Sequence, residues 1–283
     1  MKSFIIQLWK YINVKWYNLK RWYWINRSHI LYHFSDFRKG NEERLRKYKD
    51  KYKGKRIFIV CNGPSLCSED LEKIHLNGDY SFGCNRIHYI FPKTHWRPDF
   101  YTMMDLGPLH QRFELMNTIE TKYKFFRTDT YTTIRKIKGN VTLLKTLDTP
   151  KLLENPKFSA DCSKIIYFIE TTTYCMIQLA VYMGFSEIYI IGCDNHYSIN
   201  VLKDGTRINT GAHSYFSGFG NTEDDHATVS RIWANDIAYD TAQKYAESHG
   251  IKIMNATRGG NLNSFPRVDF DSLFPSRSDD KQS

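Results

Sequence analysis

The chain has 283 residues, enough for one large α/β domain with a sizeable core. It contains no apolar run of transmembrane length and no secretory signal pattern, so we expect a cytoplasmic protein. Six cysteines are scattered without a CxxC pair, which predicts reduced thiols rather than a disulfide framework or a zinc site. The net charge of +10 is uneven: residues 1–56 hold 16 Lys or Arg against 4 Asp or Glu, and the rest hold 24 against 26. This balance makes nucleic acid a poor candidate partner for the main domain.

An N-terminal arm, residues 1–37, contains four of the six tryptophans together with lysines and arginines. Apolar side chains recur there at three- and four-residue steps, which predicts an amphipathic helix with one apolar stripe. The stripe consists of Ile5, Trp9, Ile12, Trp16, Leu19 and Tyr23. Aromatic rings and cations suit the headgroup level of an anionic leaflet, so we expect peripheral binding to the inner face of the cytoplasmic membrane. Packing of the arm on its own domain, or on a second subunit of a homo-oligomer, is left open.

Residues 38–56 are dense in charge and are expected to form a charged helix or a tether that ends at Gly54, with its side chains solvated. The arm and tether together then cover residues 1–54. The main domain is expected over 55–274, and a polar tail over 275–283.

The clearest pattern in the chain is an apolar run at 57–61 that leads directly into Asn62-Gly63-Pro64-Ser65. It predicts a buried parallel strand, a tight turn and a helix start. Free N–H groups at such a helix start favour an anionic ligand such as phosphate, although a plain β-to-α turn is the alternative. A short helix is expected over 68–76, with Ser68 as its N-cap.

Further strands and helices alternate along the chain, which predicts an α/β fold with a doubly wound, mostly parallel sheet. Polar residues follow several strands or open a helix, and parallel strands bring such residues to one carboxyl edge, where ligands bind. These residues are Asn85, Asp105, Thr172 and Asp194. Residues 195–226 are polar and lack strand or helix periodicity, which predicts a lid. A helix over 228–249 and a strand over 251–255 are expected to follow.

Five motifs stand in an order that resembles the bacterial sialyltransferases of glycosyltransferase family 42. The same order resembles the related domain of flagellin-modifying motility accessory factors and of archaeal hydroxymethylpterin diphosphokinases. The motifs lie at 58–66, 83–85, 171–173, 184–194 and 255–260. The resemblance covers roughly residues 55–272. It implies a Rossmann-like fold, a variant of the GT-A type, that binds a CMP-sugar under a lid without requiring a metal.

The resemblance also implies roles for individual residues. The expected donor-binding residues are Asn62, Gly63, Ser65, Asn85, Asp105, Thr172, Thr173 and Asp194. Tyr197 and Tyr215 are expected to hold the departing phosphate, and His226 to act as the general base, with His213 and His196 left open. The chain departs from the sialyltransferases at Thr172-Thr173, where they have Ser-Gly, and at Asp105, where they have asparagine.

The sequence therefore predicts an inverting glycosyltransferase that moves a nonulosonic acid or Kdo-like sugar from CMP to a surface-glycan or lipid-linked acceptor. The sequence has one DxD, Asp269-Phe270-Asp271, which follows the last expected strand and is interpreted as surface rather than as a metal site. A second hypothesis is a diphosphokinase that uses ATP with Mg²⁺ bound near Asp105 and Asp194. A third is an inactive, membrane-associated adaptor.

Overall fold

A computed structural model describes residues 2–106, 113–218 and 228–274, except for the side chains of residues 2–8, 10 and 11. Its centre is a seven-stranded sheet in the order β12-β8-β1-β2-β3-β4-β5. Every neighbouring pair in this sheet is parallel. The strands of the sheet are β1 (Arg56–Val60), β2 (Tyr80–Cys84), β3 (Phe100–Thr102), β4 (Tyr123–Arg127), β5 (Val141–Leu144), β8 (Glu187–Ile191) and β12 (Lys252–Asn255). The predicted doubly wound, Rossmann-like α/β fold is confirmed.

Helices and two smaller sheets complete the described structure. The helices are α1 (Lys2–His33), α2 (Asp36–Tyr48), α3 (Ser68–Leu76), α4 (Tyr131–Ile134), α5 (Lys151–Glu154), α6 (Thr172–Tyr182) and α7 (Ile232–Ser248). The smaller sheets are formed by β6 (Thr146–Leu147) with β7 (Ile166–Tyr167), and by β9 (Ile199–Val201), β10 (Arg207–Asn209) and β11 (Val229–Ser230). Among the described residues, no helix combines the length and apolar character that crossing a membrane requires.

The main sheet is buried on both faces, which explains the uninterrupted apolar run in β1. Ile57 and Ile59 belong to a core shared with α6 and α7, whereas Phe58 and Val60 belong to a second core that contains residues of α3. Alternate residues of one strand therefore fill two separate cores. This double burial fixes β1 at the centre of the molecule.

Helix α2 agrees with the helical alternative for residues 38–56, but its burial contradicts the expectation that this segment is solvated. Its residues Asn41, Leu45 and Tyr48 are buried, and Leu45 and Tyr48 join the core of the sheet. The Asn41 amide donates to the Leu143 carbonyl at 2.8 Å and accepts from the Leu143 N–H at 2.6 Å. Because β5 is the edge strand, this one side chain pairs with backbone groups that another strand would otherwise use. Most charged residues of α2 lie on its outer face, which is why the sequence predicted a solvated segment.

Three further features differ from the sequence predictions. The stretch 195–226 contains β9 and β10, which pair antiparallel, and β11 pairs parallel with β9 just after it. These strands are short and partly or fully exposed, so they lack the alternation that reveals longer strands. Helix α7 accordingly begins at Ile232, after β11, rather than at 228. Helix α3 has Cys67 as its N-cap residue, and Ser68 is its first helical residue.

We expect replacement of Asn41 with leucine to destabilise the fold strongly. The Asn41→Leu variant leaves the buried N–H and C=O of Leu143 without their partners, at a cost of about 2–4 kcal/mol in the free energy of unfolding. Urea unfolding measures the loss. The control is Glu43→Ala on the exposed face of the same helix, whose loss should be much smaller. If Asn41→Leu lowered the free energy of unfolding as little as Glu43→Ala does, α2 would not be an integral part of the domain.

Candidate functional site

A cavity of about 270 Å³ opens at the carboxyl edge of the sheet, between β1 and β8. The chain runs from β1 outward to β5 and then returns to β8 on the other side of β1, so this edge is a topological switch point. Predicted site residues that line the cavity are Asn62, Gly63, Asn85, Asp105, Thr172, Thr173, Asp194, Tyr197 and Tyr215. The fold thus brings to one place residues that are up to about half the chain apart in sequence.

The turn after β1 is held by Asp194, which follows β8. One oxygen of the Asp194 carboxylate accepts from the Ser65 N–H at 3.2 Å and from the Ser65 hydroxyl at 2.8 Å. The N–H of Gly63 donates to Gly192, and that of Leu66 donates to Gly63. A Cβ at Gly63 would lie 2.0 Å from the Asp194 carboxylate, so only glycine fits there.

This arrangement favours the alternative of a plain β-to-α turn over a phosphate-binding helix start. The N–H groups of Gly63, Ser65 and Leu66 already have protein partners, and helix α3 begins only at Ser68. The anion that satisfies Ser65 is the protein's own carboxylate. Ser65 itself does not line the cavity; it positions Asp194, which does.

The start of helix α6 supplies the hydroxyl groups of the cavity. Thr171 caps the helix by accepting from the Thr173 N–H at 3.3 Å. The Thr172 hydroxyl reaches the Asp105 carboxylate at 3.5 Å, and the Thr173 hydroxyl contacts the Cys61 sulfur at 3.2 Å. A helix N-terminus carries partial positive charge, so this end of the cavity favours an electron-rich ligand group.

Strained backbone is concentrated around the cavity. Outside glycine, the described residues with positive φ are Asp50, Asn85, Glu170 and Asn195. The last three of these line the cavity. Such conformations cost free energy and persist where the surrounding structure enforces them, which occurs often at functional sites.

Two buried amide oxygens at the cavity have no hydrogen-bond partner among the residues that the structure describes. They are Oδ1 of Asn62 and Oδ1 of Asn85. The Asn62 amide nitrogen donates to the Cys84 carbonyl at 3.2 Å, which turns its oxygen the other way. A buried acceptor without a donor is costly, so the cavity offers two places for N–H or O–H groups of a ligand.

The segment predicted as a lid contributes Tyr197 and Tyr215 to the cavity and is hydrogen-bonded to the turn after β1. The Phe216 N–H donates to the Asn62 carbonyl at 3.1 Å, and Phe216 is buried. Burial raises the pKa of the Tyr197 hydroxyl well above its usual 10, so this group stays protonated and able to donate. The Tyr215 hydroxyl accepts from Thr228 at 3.2 Å.

The histidines predicted as candidate bases are separated by the structure. His196 lines the cavity and is exposed, whereas His213 is exposed and is not one of the lining residues. His226 lies outside the described residues. The DxD carboxylates, Asp269 and Asp271, are exposed and away from the cavity, and Asp271 is paired with Lys73 and Arg258.

The lining described by the structure is acidic. It contains three carboxylates, Asp105, Glu170 and Asp194, and neither lysine nor arginine. Glu170 is paired with Arg231. Burial raises the pKa of the Asp105 carboxyl from 3.8 to about 6, against the opposing effects of the Arg127 guanidinium and the Thr172 hydroxyl. Burial likewise raises the pKa of Asp194, opposed by the two hydrogen bonds from Ser65.

Sequence reasoning missed Glu170, Asn195 and Asn235. Asn195 is buried, donates to Asp236 at 2.9 Å and accepts from Asn235 at 3.4 Å. Asn195 directly follows the predicted Asp194, and Glu170 directly precedes the predicted helix start, so proximity to a motif was the available signal. Asn235 lies in the first turn of α7, which the sequence placed too early.

We expect Asp105→Asn to stabilise the protein at high pH and not at low pH. The folded-state pKa of about 6 lies above the unfolded value, so the unfolded chain ionises first. The free energy of unfolding therefore falls as pH rises between about 4 and 6 and stays lower above that range. The variant removes this loss, a gain on the order of 3 kcal/mol at pH 8, and urea unfolding at pH 8 and below pH 4 measures it.

Asp204→Asn is the control, because the Thr206 N–H holds the pKa of Asp204 below its usual value. That variant should gain nothing at pH 8. An equal gain for Asp105→Asn at both pH values would mean that packing of the amide, rather than loss of the buried charge, causes the stabilisation.

A family model described as "6-hydroxymethylpterin diphosphokinase MptE-like" matches residues 29–200. The match includes the strands from β1 to β8 and the cavity residues from Cys61 to Tyr197. No curated protein matches the chain. Of the related groups that the sequence motifs resemble, the match supports the diphosphokinase-like one. Because the match extends over more than half of its length, this chain belongs to the MptE-like family.

Proposed function

We propose that this protein is a transferase that binds a nucleotide at the β1–β8 edge, and that it transfers pyrophosphate from ATP to the hydroxyl of a ring-containing acceptor. The observation that carries this proposal is the acidic lining of the cavity. Nucleotide phosphates are strongly anionic, and Asp105, Glu170 and Asp194 repel them unless a cation intervenes. The description of the family, a hydroxymethylpterin diphosphokinase, agrees with such a reaction.

The donor set suits Mg²⁺ as that cation. Magnesium is usually bound by one or two carboxylates together with substrate phosphates and water, so a cluster of three protein ligands is not required. Asp105 and Asp194 are the carboxylates we assign to it, since Glu170 already has Arg231 as a partner. When bound, Mg²⁺ would offset the charge of the phosphates and orient them for transfer.

The two amide oxygens without partners support recognition of a nitrogen-containing ring. Asn62 and Asn85 present buried acceptors, and adenine and pterin rings carry N–H groups on their edges. A ligand without such donors leaves both oxygens unsatisfied, which penalises its binding. The two acceptors therefore favour a ligand that presents N–H or O–H donors, and the edge of a heteroaromatic ring can supply them.

The transfer requires a proton acceptor. The acceptor hydroxyl attacks the β-phosphorus of ATP, the bond from that phosphorus to the α-phosphate oxygen breaks, and AMP leaves. We assign removal of the hydroxyl proton to His196, the candidate base that lines the cavity.

A second candidate function is glycosyl transfer from a CMP-sugar of the nonulosonic acid or Kdo type. The observation that favours it is the pair of tyrosines at the cavity, of which Tyr197 stays protonated. Neutral hydroxyl donors can stabilise a departing phosphate without a metal. The acidic lining weighs against it, since both the phosphate and the sugar carboxylate of such a donor are anionic.

A nucleotide panel with and without Mg²⁺ separates the two candidates. We expect ATP to raise the melting temperature only when Mg²⁺ is present, and CMP, CDP, UDP and GDP to have smaller effects. The Asp105→Asn variant should bind Mg-ATP at least about tenfold more weakly, because a carboxylate that faces the cation is lost. Asp269→Asn, an exposed carboxylate away from the cavity, is the matched control. A rise in melting temperature with CMP that is unchanged by EDTA would favour the second candidate instead.

The tyrosines give a test of the second candidate. If a CMP-sugar is the donor, Tyr197→Phe should weaken CMP binding by about tenfold, because one hydrogen bond to a charged phosphate is removed while the ring remains. Calorimetry on the variant and on Tyr245→Phe, a tyrosine of α7 outside the cavity, measures the difference. Wild-type protein that does not bind CMP, or a variant that binds it as well as wild type, would rule this candidate out.

A further inference from the structure

Helix α1 carries an apolar stripe that faces away from the rest of the molecule. At about 100° per residue, the stripe residues fall within roughly 80° of arc. They are Trp9, Ile12, Trp16, Leu19 and Tyr23, and all are exposed. Trp16, Leu19 and Tyr23 leave 57%, 55% and 54% of their surfaces open. Ile5 would extend the stripe, but its side chain is outside the described residues.

A different face of α1 is turned toward the protein. Tyr17, Arg21 and Trp24 line an open cleft against Thr132 and neighbouring residues of the main domain, and Tyr17 and Trp24 keep 63% and 44% of their surfaces exposed. Ser28, on the same face, contacts the Thr132 hydroxyl at 2.9 Å and is buried. This face lies about 130° around the helix from the stripe. Packing on the protein's own domain therefore does not account for the stripe within the described structure.

The charge of α1 indicates what covers the stripe. Residues 2–33 contain six Lys or Arg and no Asp or Glu. By helical geometry, Lys15 borders the stripe on one side, and Lys20 and Arg27 border it on the other. Tryptophan and tyrosine rings favour the headgroup level of a bilayer, and flanking cations attract anionic lipids.

We propose that α1 docks this protein on an anionic lipid surface, lying in the plane of the interface with its stripe among the headgroups. A second copy of the chain is the competing occupant of this face. Two copies that met through the stripe would bring cations close to cations with no acidic residue of α1 to offset them. An anionic bilayer has the opposite charge and accepts both the rings and the cations.

Vesicle sedimentation of the full chain tests this proposal. One vesicle is phosphatidylcholine alone, and the other is equal parts phosphatidylcholine and phosphatidylglycerol. We expect at least about tenfold stronger partition onto the anionic vesicle, with a marked loss as salt is raised. Equal partition onto both vesicles, or no partition onto either, would overturn the proposal.

Two matched substitutions locate the contact. Leu19→Glu places a charge in the stripe, and Leu76→Glu makes the same change at an exposed leucine of α3. The first should weaken partition by about tenfold and the second should not, while thermal melting checks that both variants fold. A wild-type dimer that Leu19→Glu converts to a monomer, without vesicle binding by either form, would show that the stripe is an interface between copies and that the proposal is wrong.

Discussion

The contact between the Asp194 carboxylate and Ser65 determines the shape of the site. It joins the turn after β1 to the turn after β8, which are the two sides of the switch point. Asp194 must approach the turn so closely that Gly63 has no room for a side chain, and the backbone of Asp194 is also packed against Gly260. An ionised carboxylate in this partly buried position is supported by two donors from one residue. The floor of the cavity is consequently fixed by the protein's own anion.

Because this contact uses the N–H groups of the turn after β1, the polar groups available at the cavity come from other parts of the sheet edge. With the Ser65 N–H used internally, the polar groups that line the cavity include the hydroxyl groups at the start of α6 and the amide oxygens of Asn62 and Asn85, which have no partner among the described residues. Asn85, after β2, and Asn195, after β8, both have a left-handed backbone conformation at this edge. Strain and unsatisfied acceptors in one cavity are costs that a bound ligand can offset.

The sequence predicted the parts of the fold that depend on long apolar runs. The strands β1 and β8 and helix α6 were evident from such runs, and their ends placed Asn62, Thr172 and Asp194 at one edge. The pairing of Ser65 with Asp194 could not be predicted, because the two residues are 129 positions apart and meet only through the strand order. The burial of helix α2 was not predicted, because its three buried side chains stand among charged ones in the sequence. The lid strands were missed because they are short and partly exposed, and the left-handed Glu170 has no sequence pattern of its own.

One buried guanidinium connects the cavity wall with the packing of the N-terminal helix. Arg127, at the end of β4, is ion-paired with Asp129 at 2.7 Å and with Asp148 at 3.1 Å, and its positive charge opposes the rise in the pKa of Asp105. Asp148 also lies 3.8 Å from Arg21 of α1. A buried arginine without its carboxylates would be strongly destabilising, so Asp129 and Asp148 hold Arg127 in place. The charge state of Asp105 in the cavity therefore depends on a cluster whose outer edge is the body-facing side of α1.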